Sequence, residues 1–138
     1  MITNIRHMCI TTKDLKKCLS FYKDFLGLKI IKQKLEEGSF IENLLGLKNV
    51  KLTYVKLRSK DNPIPVLEIY YFEDGRKVNI GDFHHISFTV DNIVSLKTFL
   101  AGKGIKPLSE PQLDHEKKNL VMFCRDYDNN LIEFVEVI

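Results

Sequence analysis

The chain repeats itself. Residues 6–22 (RHMCITTKDLKKCLSFY) align without a gap on 84–100 (HHISFTVDNIVSLKTFL), which sets His7 on His85, Thr11 on Thr89, Leu15 on Ile93 and Phe21 on Phe99. A second match, at a different offset, sets VLEIYY (66–71) on LIEFVE (131–136), so Glu68 falls on Glu133. Such a chain must fold as two alike modules, about 1–75 and 76–138, each with one histidine and one glutamate at matching places. At 138 residues both modules fit within a single domain large enough to bury a core.

Each module opens on a strand and then a helix. Alternation puts His7, Cys9 and Thr11 on one face of the first strand and Met8 and Ile10 on the other. Asp14 is placed to cap a helix whose apolar positions Leu15, Cys18, Leu19, Tyr22, Phe25 and Leu26 recur every three or four residues, with Gly27 as its stop. In the second module Asn92 takes the cap, Ile93, Leu96, Phe99 and Leu100 form the buried stripe, and Gly102 or Gly104 ends the helix. Three strands follow each helix, at about 28–35, 50–58 and 65–72, then at about 105–109, 119–125 and 131–137. Turn signals precede the two glutamate strands: Asp61-Asn62-Pro63 before Glu68, and Asp126-Tyr127-Asp128-Asn129-Asn130 before Glu133. The pattern is βαβββ twice, an α+β fold, with a linker at 73–83. Residues 36–49 break the symmetry. Phe40, Ile41, Leu44 and Leu45 there would line one side of a short helix, either a flap over an open sheet edge or a lid over a substrate.

Composition excludes several classes. With 44% hydrophobic and 28% charged residues and no apolar run near the twenty or so that span a bilayer, the chain reads as soluble, with no membrane partner. A net charge of +3 is too small and dispersed for nucleic acid, and Lys16, Lys17 and Lys23 read as a solvated helix face. MITNIRHMCITTKDLKK lacks the apolar core of a secretory signal. Cys9, Cys18 and Cys124 are odd in number, with no C-x-x-C, as in a reduced cytoplasmic protein.

Chemistry enters with the two glutamates. Leu67 and Ile69 flank Glu68, and Ile132 and Phe134 flank Glu133, so each carboxylate faces away from its apolar neighbours. Facing solvent, a lone glutamate is ordinary; inside a cup, an unpaired carboxylate costs about several kcal/mol, which a bound cation removes. If the modules pair about a pseudo-twofold axis, His7, Glu68, His85 and Glu133 meet. Nitrogen and carboxylate ligands suit zinc, nickel, cobalt, iron or manganese. His84 alternates away from His85, and His115 lies in the charged segment 113–116; both read as exposed side chains, although His115 could approach a substrate if its loop folds over the cup.

These residues resemble the vicinal oxygen chelate superfamily, which includes glyoxalase I, methylmalonyl-CoA epimerase, extradiol dioxygenases, fosfomycin-resistance enzymes and bleomycin-binding proteins. The resemblance spans the chain: His7 followed by Asp14-Leu15 and Phe21-Tyr22-x-x-x-Leu26-Gly27, then Leu67-Glu68-Ile69, His85-Ile86-Ser87-Phe88-x-Val90-Asp91, and 126–133, which looks like D-P-D-G-N-x-I-E with Tyr127 for proline and Asn129 for glycine. It implies two βαβββ modules forming a U-shaped, incompletely closed barrel around a divalent metal. By position, His7, Glu68, His85 and Glu133 match the His/Glu/His/Glu ligands of glyoxalase I, whereas epimerases carry glutamine at the place of Glu68. It further implies a lyase or isomerase acting on a small α-hydroxycarbonyl or hemithioacetal, with zinc, nickel or cobalt, or else iron or manganese. Glu133 would be the base, with Glu68 able to act on the other face, and the chain would form a homodimer. Alternatives are an iron-dependent extradiol-type dioxygenase using three of the four ligands, or a non-catalytic small-molecule binder. No arginine cluster for glutathione can be identified, although Arg6, Arg58 and Arg76 are available.

Overall fold

Alternation governs the first strand as expected. In a computed structural model describing residues 1–61, 66–79, 81–125 and 131–138, with the Phe25 side chain excepted, β1 (Ile2–Thr11) buries His7, Cys9 and Thr11 and turns Met8 outward. The Asp14 carboxylate then accepts the Lys17 backbone N–H at 2.9 Å, capping α1 (Leu15–Leu19). From Ser20 to Phe25 the helix widens to π geometry, with Leu26 N–H donating to Phe21 O, five residues back. This wider turn rotates Leu26 off the apolar stripe and leaves it 52% exposed, contrary to the regular spacing read from sequence. Gly27 ends the helix at φ +78°, where an L side chain would be strained.

The remaining elements are β2 (Lys29–Glu37), α2 (Ser39–Leu45), β3 (Lys51–Arg58), β4 (Val66–Phe72), β5 (His85–Val90), α3 (Ile93–Gly102), β6 (Gln112–Leu113), β7 (Asn119–Arg125) and β8 (Leu131–Val137). The strands form one eight-stranded sheet in the order β2-β3-β4-β1-β5-β8-β7-β6. β1 runs parallel to β4 and β5 parallel to β8, while β1 and β5 pair antiparallel at the centre. Exchanging the modules leaves this order unchanged, so a pseudo-twofold axis passes between β1 and β5. The sheet curls into an open half-barrel.

Each strand divides its side chains between two cores. Outside, α1 and the widened turn after it pack Leu15, Cys18, Leu19 and Tyr22 on Val55, Leu57 and Ile69, and α3 packs Ile93, Leu96 and Leu100 on Met122, Cys124 and Phe134. Inside, Leu52, Tyr54, Tyr70, Phe72, Val121, Phe123 and Val135 gather beneath α2, which contributes Ile41, Leu44 and Leu45. The 36–49 segment therefore covers the cup, and α2 also touches both edge strands, β2 and β6.

Two expectations need correction. No strand occupies 105–109: Leu108 N–H reaches Phe123 O at 2.9 Å, but Pro107 and Pro111 supply no backbone donors, and pairing is confined to the two residues of β6. Phe99 is 46% exposed because Ile93, Leu96 and Leu100 already define the buried stripe; its ring instead meets Lys103 Nζ, 5.6 Å from the centroid. In the linker between β4 and β5, Arg76 clamps Asp74 at 2.7 Å and donates to the carbonyls of Lys48 and Asn49, and Phe83 packs on Phe72. Asn62-Pro63 and the turn at 126–130 lie outside the described residues.

Candidate metal centre

Strand register assembles the site. His7 and His85 stand on the two central strands, and the parallel partners β4 and β8 carry Glu68 and Glu133 in matching register: Cys9 opposite Glu68, Ser87 opposite Glu133. Because side chains paired across strands share a face, all four groups point into the cup. They are nearly inaccessible: His7 3%, Glu68 5%, His85 5% and Glu133 7% exposed.

Their polar atoms converge. His7 Nε2 lies 3.0 Å from a Glu68 carboxylate oxygen, 2.9 Å from Glu133 Oε2 and 3.2 Å from His85 Nε2, and the last nitrogen is 3.8 Å from Glu133 Oε2. The ligand atoms of His7, His85 and Glu133 all lie within 4.8 Å of one another, and Glu68 joins through His7. His85 Nδ1 is 2.9 Å from Phe83 O; donating there fixes the tautomer that aims the Nε2 lone pair at the cluster. Phe123 and Tyr70 wall the His85 ring at centroid distances of 5.0 and 5.5 Å.

Electrostatics show what the cluster lacks. Burial works against a charged His7, but the carboxylates of Glu133 and Glu68 outweigh it and raise its pKa to about 9. Burial likewise pushes both glutamates up, yet the His7 charge holds each below the usual carboxylate range. His85 is depressed by burial, with the His7 charge adding to the effect, so it stays neutral. One proton thus stands between two nitrogens and two carboxylates. Glu133 Oε2 itself faces both imidazoles, 2.9 Å from His7 Nε2 and 3.8 Å from His85 Nε2. Two buried carboxylates facing two imidazole nitrogens, with a single proton among them, form a donor set that fits a divalent cation of the borderline class.

His7, Glu68 and Glu133 line the floor of a cleft of about 130 Å³. Phe40, Ile41 and Leu44 of α2, with Leu52, Val121 and Val135, supply apolar walls. The mouth is strapped by contacts between the sheet's two ends: Lys32 pairs with Glu116, His115 Nε2 lies 3.1 Å from Glu36, and Asn43 donates to Gln112 at 3.3 Å. His115 stays half exposed, as expected, yet lines the cleft. His84 is half-buried rather than exposed, its Nε2 lacks a partner, and it stands apart from the cluster. Sequence reading overlooked Ser87 and Lys56. Alternation from His85 could have found the first; Lys56 required the β3–β4 register.

Comparison with known proteins agrees with this fold. The chain is 34% identical over 95% of its length to a lactoylglutathione lyase of Schizosaccharomyces pombe, spanning only 46% of that protein. It is 31% identical over 94% of its length to the mitochondrial methylmalonyl-CoA epimerase of Homo sapiens, spanning 71% of it. Against a probable lactoylglutathione lyase of Synechocystis the identity is 27%, covering 94% and 92% of the two chains. Among solved structures, methylmalonyl-CoA epimerase from Mycobacterium tuberculosis superposes over 99% of this chain and 89% of its own with a TM-score of 0.71 at 16% identity, a likeness of fold. A doubled βαβββ sheet, a cup with two histidines and two glutamates on its floor, and a match over residues 4–134 to one family model lead to one assignment: this chain belongs to the Glyoxalase/Bleomycin resistance protein/Dioxygenase superfamily.

Proposed function

We propose that the chain is a divalent-metal-dependent lyase or isomerase of the glyoxalase kind, moving a proton between adjacent carbons of a small α-hydroxycarbonyl or hemithioacetal. The observation that carries this reading is the convergence of His7, His85 and Glu133, with Glu68 bound to His7. His7, Glu68, His85 and Glu133 would hold zinc, nickel or cobalt, with iron or manganese also compatible. When bound, the ion supplies Lewis acidity that stabilises negative charge on two neighbouring substrate oxygens. Glu133 takes the proton from one carbon and returns it to the next, and Glu68 faces the same space from the other module. Phe83 O holds the His85 tautomer, and α2 excludes water from above.

Metal analysis of protein purified without chelators tests this directly. About one ion per chain is expected, lost in His85→Ala; no ion under any loading condition would refute the reading, and iron with oxygen consumption would favour the dioxygenase. Binding must also expel the His7 proton, since only neutral imidazole ligates. With His7 titrating at about 9, cation uptake at pH 7 should release about one proton, falling toward none well above pH 9, as calorimetry in buffers of different ionisation enthalpy reads out. The sign follows from a folded pKa raised above 6.5: in the cation-free protein the stabilisation from His7 is full below pH 6.5 and is lost as pH rises through about 9.

A homodimer is part of the proposal. Met8 and Ile86, 57% and 41% exposed, pair on the outer face of β1 and β5 and form an apolar strip at the pseudo-twofold axis. Sedimentation should give twice the chain mass, and Met8→Lys should shift the equilibrium toward monomer. Buried thiols at Cys9 and Cys124 suit the reducing cytoplasm, and among the described residues no helix is long and apolar enough to cross a membrane.

A further inference from the structure

One row of side chains crosses the inner face of the first module. Register pairs Lys32 with Lys56, Lys56 with Glu68, Glu68 with Cys9, and Cys9 with His85. All face the cup, since residues paired across strands share a face. Lys56 is thus one strand from a candidate ligand, half-buried, and part of the cleft wall.

The cleft's other lysines are committed. Lys32 pairs with Glu116, and Lys34 with Glu36 at 2.9 Å. Lys56 has no carboxylate within 4.0 Å among the described residues; its ammonium lies against the Tyr54 ring, 5.5 Å from the centroid, and acts on Glu68 only at longer range. A dication held by Glu68 and Glu133 would cancel both carboxylate charges. The positive charge of Lys56 would then face the cleft without a counterion.

We propose that Lys56 is a specificity-determining residue that binds an oxyanion carried by the substrate itself, so that the reacting group and a carboxylate or phosphate lie within one compact molecule. This rests on the metal-centre reading above and specifies its substrate class. Cross-strand neighbours stand about 5 Å apart, so a lysine side chain one strand away reaches an anionic tail only a few bonds from the reacting carbon. Lys56 and Arg6 are the cleft-lining cations with no carboxylate partner among the described residues, and of the two Lys56 stands one strand from Glu68, paired with it in register.

The test uses bidentate probes with and without the tail. Calorimetric titration of cation-loaded protein would compare acetohydroxamate, succinomonohydroxamate and the methyl ester of the latter, which keeps the length and removes the charge. The acid should bind at least tenfold more tightly than the ester. Lys56→Met should reduce that preference to less than twofold while cation content and acetohydroxamate affinity stay unchanged, and Lys56→Arg should restore it. Arg6→Met and Lys34→Met should retain it. Phosphonoacetohydroxamate in place of the succinyl probe distinguishes a phosphate tail from a carboxylate tail. Equal binding of acid and ester by the wild type, or a preference that survives Lys56→Met, overturns the role of Lys56 and leaves the metal centre standing. Failure to bind both cation and acetohydroxamate refutes the metal centre and Lys56 together.

Discussion

Glu133→Gln should lower kcat/KM by about a thousandfold on whichever α-hydroxycarbonyl or hemithioacetal the wild type turns over, in the middle of the range for loss of a general base. The exchange preserves side-chain volume and a carbonyl lone pair, so the β8 backbone and its pairing with Ser87 should persist. What disappears is the group that takes up a proton. Steady-state kinetics on variant protein loaded with cation to the wild-type level separates this loss from simple loss of the ion. A fall of tenfold or less at equal occupancy would remove Glu133 from the role of base and pass it to Glu68.

The largest effect on stability should come from Phe123→Ala. Phe123 is fully buried, contributes to the inner core, and sets its ring edge-on to His85 at 5.0 Å. Removing a buried phenyl ring costs about 3–5 kcal/mol in transfer free energy and cavity formation. In a chain of this size that lowers Tm by about 10–20 °C. Thermal unfolding followed by circular dichroism measures it. Because the same ring braces a candidate ligand, cation affinity should fall as well, whereas truncation of the exposed Phe99 should leave both unchanged.

Much of this architecture was legible because the repeat is written in strongly patterned segments. Alternation around His7 and His85, and the caps Asp14 and Asn92, depend on neighbours in sequence, and the structure places them as read. The pairing of glutamates by internal alignment matches their register against β1 and β5. Features set by distant partners were not legible. The widened turn at 20–25 and the outward Phe99 both concern which way a helix faces a sheet, and apolar spacing leaves that open by a residue or two. The 105–109 segment has strand-like residues, but Pro107 within it and Pro111 just beyond it restrict its pairing. The Phe83 carbonyl that orients His85 leaves no signal in sequence, since every residue carries a carbonyl.

The antiparallel pair at the centre of the sheet has a consequence for how the protein folds. Among the described strands, β1 with β5 is the sole pairing between modules; every other pairing closes within one. Each half can therefore pair its own strands first, whereas the inner core shared by Leu52, Tyr54 and Tyr70 with Val121, Phe123 and Val135 closes only when the halves dock, a later and slower event that spans long sequence separations. Each module arrives with one imidazole and one carboxylate, too few to hold an ion firmly. Tight cation uptake should accordingly lag behind the burst of secondary structure in refolding experiments and report the moment at which the two halves join.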